Sequence, residues 1–176
     1  MLNGDGLRVV LWLSGCSHNC YKCQNPQTHD PNSGILFDEN AEEELFRELS
    51  KDYISGLTLT GGDPLHENNL DGVLNLVNKI RLSLPKKTIW LYTGYDFNHI
   101  MHWTEEQYEI DVHNNFRINN IDYKRQSIVE LVDVLVDGRY IDSQRDITKK
   151  WAGSSNQRVI DLKKSLQQGE VVLYCE

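Results

Sequence analysis

The chain has 176 residues, 39% of them hydrophobic, with 18 Lys and Arg against 26 Asp and Glu for a formal net charge of −8. A length of this order fits one domain, residues 1–176, whose core is large enough to fold without disulfides. The acidic balance argues against a nucleic-acid partner, which asks for a basic face, and no apolar run approaches the ~18 residues of a membrane span.

Residues 3–6 (NGDG) are a turn signal, and residues 7–13 (LRVVLWL) are an apolar run that reads as a buried strand. The opening MLNGDG shows no charged-then-apolar leader of a signal peptide, and with the cysteines mostly clustered a reducing cytoplasm is the expected compartment. Directly after the first strand come Cys16, Cys20 and Cys23, at the spacing C-x3-C-x2-C. Three thiolates from one loop make a soft, anionic cage suited to an iron–sulfur cluster or to zinc. On a cluster of four irons, three cysteines leave one iron open to a small molecule's amine and carboxylate. The zinc reading takes His18 as fourth ligand, although the paired spacings usual for structural zinc are incomplete. A disulfide framework is disfavoured, because these cysteines lie too close together to staple distant segments.

Residues 25–34, rich in Pro, Asn, Asp and Gly, are a connection. Residues 38–51 read as a helix, with Asn40 as cap, Glu43 at the capping-box position, and Leu45 and Leu49 on one face. Residues 57–60 (LTLT) are a strand that runs into Gly61-Gly62-Asp63-Pro64. A helix capped by Asn68 or Asn69 follows. Its apolar stripe is Leu70, Val73, Leu74, Val77, Ile80 and Leu84, and Pro85 ends it. Residues 88–92 (TIWLY) are the third strand, followed by Thr93-Gly94-Tyr95. Residues 96–103 suggest a short helix, 104–124 a polar loop or insertion, and 123–131 another helix. Residues 132–137 (VDVLVD) are the fourth strand, and residues 157–162 and 171–175 two more.

Short strands alternating with amphipathic helices indicate an α/β fold with a parallel sheet or open barrel. The informative loops all follow strand ends, where such sheets gather ligands. Gly61 and Gly62 let the backbone open toward a ligand, and Asp63 offers an acceptor for an ammonium group. Read alone, that tetrapeptide is also a good turn. Cys175 follows an apolar run and reads as a buried free thiol.

On these residues the chain resembles the radical S-adenosylmethionine (SAM) superfamily. Within it, it is similar to the activating proteins of anaerobic ribonucleoside-triphosphate reductases. The resemblance spans nearly the whole length. It rests on Cys16, Cys20 and Cys23, on LTGGDPL at 59–65, on WLYTGY at 90–95, on VLVDG at 134–138 and on GSSNQR at 153–158. It implies a radical SAM partial (β/α) barrel and a [4Fe-4S] cluster on the three cysteines. It implies SAM cleavage, with the SAM amino group received by Gly61, Gly62 and Asp63. Lys22, Gln24, Thr93, Asp137 and Arg139 are further cofactor-binding candidates, Thr93 and Asp137 toward the ribose and Arg139 toward the carboxylate. The implied partners are the large subunit of the reductase, on which a backbone glycine becomes a radical, and a flavodoxin-like electron donor. Other readings are activation of a different glycyl-radical enzyme, a small-molecule substrate as in deazapurine biosynthesis, or a zinc-binding module without a reaction. The chain departs from the superfamily at Lys22, where an aromatic residue is usual, and in residues 104–124, which are longer than in compact relatives.

Overall fold

The computed structural model describes residues 3–101 and 121–175. Five strands form one sheet in the order β1 (Arg8–Leu13), β2 (Gly56–Gly61), β3 (Thr88–Tyr92), β4 (Val134–Asp137) and β5 (Arg158–Asp161). The first four run parallel, and β5 lies antiparallel to β4. The α/β class is as expected, but the sheet is not wholly parallel. Between β4 and β5 the chain makes only loops and a 3-10 turn, so without a helical crossover it returns in the opposite sense. The helices are α1 (Glu39–Leu49), α2 (Leu70–Ser83), α3 (Phe97–Ile100), α4 (Ile121–Leu131) and α5 (Leu162–Gln168).

Strand side chains alternate between two faces, and each face has its own core. Leu57, Leu59, Ile89, Leu91, Leu135 and Ile160 are buried together with Leu49, Val77, Ile80 and Ile128 of the helices. On the opposite face Trp90, Val134, Val136 and Val159 pack with Ala152, Trp151 and Cys175. Trp151 and Tyr174 stand edge-to-face on Trp90, at 5.0 and 5.1 Å between ring centroids. Each fully buried aliphatic side chain contributes about 1.5–3 kcal/mol.

At the lower edge of the sheet Arg8 ties three strands together. Its guanidinium donates to the Leu57 carbonyl (2.6 Å), the Thr58 hydroxyl (2.8 Å) and the Thr88 carbonyl (2.8 Å).

Several element ends differ from the sequence reading. The cap of α1 is Asp38, whose carboxylate accepts from the Ala41 amide at 2.9 Å, and Asn40 lies inside the first turn. Asp38 has the extended backbone that a cap needs. Asn69 precedes α2 without capping it, because its amide is used elsewhere (below). The helix expected over 96–103 is α3, capped by Asp96, and residues 102 and 103 lie outside the described residues. So does most of the 104–124 segment, of which residues 121–124 open α4. Residues 171–175 form no strand, only an isolated bridge between Leu173 and Ile160. The unforeseen α5 precedes them, capped by Asp161 and ended by Gly169 in the left-handed region (φ 71°). Among the described residues, no helix is long and apolar enough to cross a membrane.

Candidate functional site

Four parallel strands bring their carboxyl ends to one edge, and the loops leaving them surround one cavity of about 280 Å³. Cys16, Cys20 and Cys23 line it, with Gly61, Gly62, Asp63, Thr93, Gly94 and the segment from Gly138 to Tyr140. Trp12 and Trp151 wall it, and Trp12 is 52% exposed.

The cysteine loop is built by backbone contacts. Gly15 and Cys16 donate their amides to the carbonyls of Thr28 and His29 at 2.8 and 3.0 Å. The Gly62 amide reaches Leu13 O at 2.7 Å, and the Asp63 amide reaches Gly15 O at 2.8 Å. Asn69 Nδ2 donates to Ser14 O and to Asp63 O, both at 2.9 Å, which fastens the two loops together. Asn19 (φ 48°) and Lys22 (φ 54°) take left-handed conformations to turn the loop between its cysteines. For Lys22 such a conformation stores on the order of 1 kcal/mol.

All four cysteines are free thiols and half-buried. Burial pushes the Cys16 thiol above its ordinary value, against a backbone hydrogen bond from His18 that lowers it. Nearby Asp63, Cys20 and Cys23 add to the rise. Cys23 Sγ accepts from the Asn25 amide at 3.3 Å. Among the described residues, no three His, Cys, Asp or Glu side chains converge closely enough to enclose a single metal ion. A cube of iron and sulfide presents a different iron to each thiolate, so its ligands need not converge on one point as those of zinc must. His18, the fourth ligand in a zinc reading, instead places Nε2 2.7 Å from Asp63 Oδ2.

The remaining candidates separate into those at the cavity and those beside it. Gln24 lines it. Lys22 turns outward to Asp142 at 2.9 Å and does not line it. Thr93 lines it, but its hydroxyl is committed to Asp63. Asp137 is buried behind it, where it accepts from the Phe97 amide at 2.9 Å and pairs with Arg158. Arg139 lies at the cavity, where its guanidinium donates to the His18 carbonyl.

The 153–158 segment braces this edge. Gln157 Nε2 donates to Gly138 O at 2.9 Å, and Asn156 Nδ2 to Arg139 O at 2.9 Å. Sequence reasoning missed Trp12, Tyr92 and Gln157 as cavity residues. The one available signal was position, with Trp12 and Tyr92 at the carboxyl ends of β1 and β3 and Gln157 directly before β5. The Tyr92 hydroxyl and His29 Nε2 are buried without a hydrogen-bond partner among the described residues, and both side chains line the cavity. Burial also holds the Tyr92 phenol well above its ordinary pKa. Such orphaned polar atoms are what a site built for a polar ligand leaves behind.

Three free thiols from one loop, gathered at one strand mouth, suit an iron–sulfur cluster and point to an iron–sulfur protein. In agreement, a family model described as "4Fe-4S single cluster domain" matches residues 2–160. Curated relatives carry the name anaerobic ribonucleoside-triphosphate reductase-activating protein. That of Enterobacteria phage T4 is 40% identical over 158 residues, 90% of this chain and 86% of the relative. That of Escherichia coli K12 is 34% identical over 165 residues, 93% and 94% of the two chains. That of Haemophilus influenzae is 33% identical over 159 residues, 89% of each. The chain belongs to the family of anaerobic ribonucleoside-triphosphate reductase-activating proteins. No solved structure matches it.

Proposed function

We propose that the chain is a radical SAM activase, a single domain over 1–176, that generates a glycyl radical on the large subunit of an anaerobic ribonucleoside-triphosphate reductase. The observation that carries this reading is the meeting of Cys16, Cys20 and Cys23 with the Gly61–Gly62–Asp63 loop around one cavity at the strand mouth. The sheet is read as one side of a partial (β/α) barrel, open where a protein segment enters.

When bound, a [4Fe-4S] cluster with SAM would supply one-electron, radical-generating cleavage of SAM for hydrogen abstraction from a glycine. The chain's own residues do the rest. Cys16, Cys20 and Cys23 are the ligands, and the amides of His18 and Asn25 directed at sulfur ease the burial of thiolates. The Gly61–Asp63 loop receives the amino-acid end of SAM. Gln24 and the edge of β3 and β4 around Thr93, with Arg139, border the remainder. Trp12 and Trp151 give the cavity an apolar wall. The electron comes from a flavodoxin-like donor.

Anaerobic reconstitution tests this reading. The wild-type chain is expected to take up equal amounts of iron and acid-labile sulfide and, with a reductant, to release 5′-deoxyadenosine from SAM. Cys16→Ala, Cys20→Ala and Cys23→Ala each lose both properties, whereas Cys175→Ala, packed against the Trp90 core, keeps both. Iron uptake that survives Cys20→Ala but not Cys175→Ala would refute the ligand set.

A further inference from the structure

The surroundings of Asp63 point to a role other than holding an ammonium group. Asp63 is 2% exposed, and its carboxylate is engaged on both oxygens. Oδ1 accepts from the Leu65 amide (2.8 Å) and the Thr93 hydroxyl (2.9 Å). Oδ2 accepts from the Gly94 amide (2.9 Å) and from His18 Nε2 (2.7 Å). A carboxylate offers about four lone-pair sites, so these four donors fill it.

His18 is held as firmly from its own side. It lies between Cys16 and Cys20 in the chain. Its ring stands edge-on to Tyr95, at 4.6 Å between centroids and 69° between planes. Gly94 carries no side chain at the one place where a Cβ would overlap the His18 ring. The guanidinium of Arg125 sits 4.0 Å over the Tyr95 ring and donates to its hydroxyl at 2.7 Å, which keeps that ring in place. Arg139 takes the His18 carbonyl.

We propose that His18 and Asp63 are a positioning pair. Their hydrogen bond sets the cysteine loop against the Gly61–Asp63 loop, and so sets the cluster's open iron against the amino-acid end of SAM. Asp63 acts through His18 rather than by touching the ammonium group, which meets the backbone of Gly61 and Gly62 instead. The inference rests on the proposed radical SAM reading.

The test compares His18→Phe, Asp63→Asn and the double variant in a mutant cycle. In the apo-protein, iodoacetamide labelling of Cys16, Cys20 and Cys23 reads the loop directly, with Cys175 as internal control. Both single variants speed labelling of the three loop thiols, and the double variant speeds it no further. On reconstituted protein, each single variant weakens SAM binding about tenfold, as expected for one charge-assisted hydrogen bond, and the double variant does the same. The shift that SAM causes in the electron paramagnetic resonance spectrum of the reduced cluster is altered alike in all three. His18→Gln, whose amide can donate to Oδ2, restores labelling and affinity, which also answers any variant that fails to fold.

Additive losses of affinity, or a His18→Phe protein with wild-type labelling and affinity, would overturn the pair and make Asp63 a direct ligand contact. A wild-type chain that binds no SAM would instead refute the radical SAM reading, and the apo labelling would still judge the pair.

Discussion

Gly62 does not adopt a left-handed conformation, yet it has no room for a side chain. A Cβ there would lie 2.5 Å from Gly15 O and 2.9 Å from Thr28 O. Both are backbone atoms of the cysteine loop and its return, so they cannot swing aside as a flexible side chain would. The constraint on this glycine is therefore the seating of the cysteine loop on β2, and ligand approach comes second. Gly61 differs, since its φ of 103° lies where L residues are strained. Gly62→Ala is expected to lower iron uptake on reconstitution several-fold and to destabilise the apo-protein by about 1–3 kcal/mol, the usual cost of overpacking. Full iron uptake with an unchanged thermal midpoint would contradict this account of the loop.

At the scale of elements, α5 is the feature that hydrophobic patterning concealed. It spans seven residues, too short to show a helical stripe, and its information sits in its ends. Asp161 accepts from the Lys164 amide at 3.1 Å and pairs with its ammonium at 3.0 Å. Burial pushes the Asp161 carboxyl up, but the Lys164 amide and ammonium outweigh it, and the net pKa lies below the ordinary carboxylate value. A folded pKa below the unfolded one gives stability that is complete above the unfolded value of about 4 and fades as pH falls through the folded one. Asp161→Asn keeps the capping oxygen and removes only the charge, so it should lower the thermal midpoint at pH 7 by about 1–3 °C, as expected for a charge at a helix N-terminus worth about 0.3–1 kcal/mol. The gap to wild type should narrow below about pH 4. A gap that is constant with pH would show that the carboxylate charge plays no part.

For the molecule as a whole, the elements that bury an apolar run or stripe were legible. β1 to β4, α1 and α2 fall within a residue or two of their expected places, because burial of Leu57, Leu59, Ile89 and Leu135 imposes a period on the sequence. The sense of β5 was not legible, since antiparallel and parallel edge strands share one pattern. Nor was the fate of residues 171–175, where an apolar run covers the Trp90 face with a single bridge.

At the site, the cysteines and the glycine loop stood out by spacing. The partners of Asp63, Asp137 and Asn69 did not, because they are long-range hydrogen bonds between segments far apart in the chain.

The central claim, that this cavity delivers a radical to a glycine of the reductase, is tested most directly by electron paramagnetic resonance. Reduced, reconstituted protein is mixed with SAM and the cognate anaerobic reductase under strict exclusion of oxygen. The account predicts a glycyl-radical doublet on the reductase that disappears when the target glycine is changed to alanine. Release of 5′-deoxyadenosine with no radical on the reductase would contradict it and point to a small-molecule substrate.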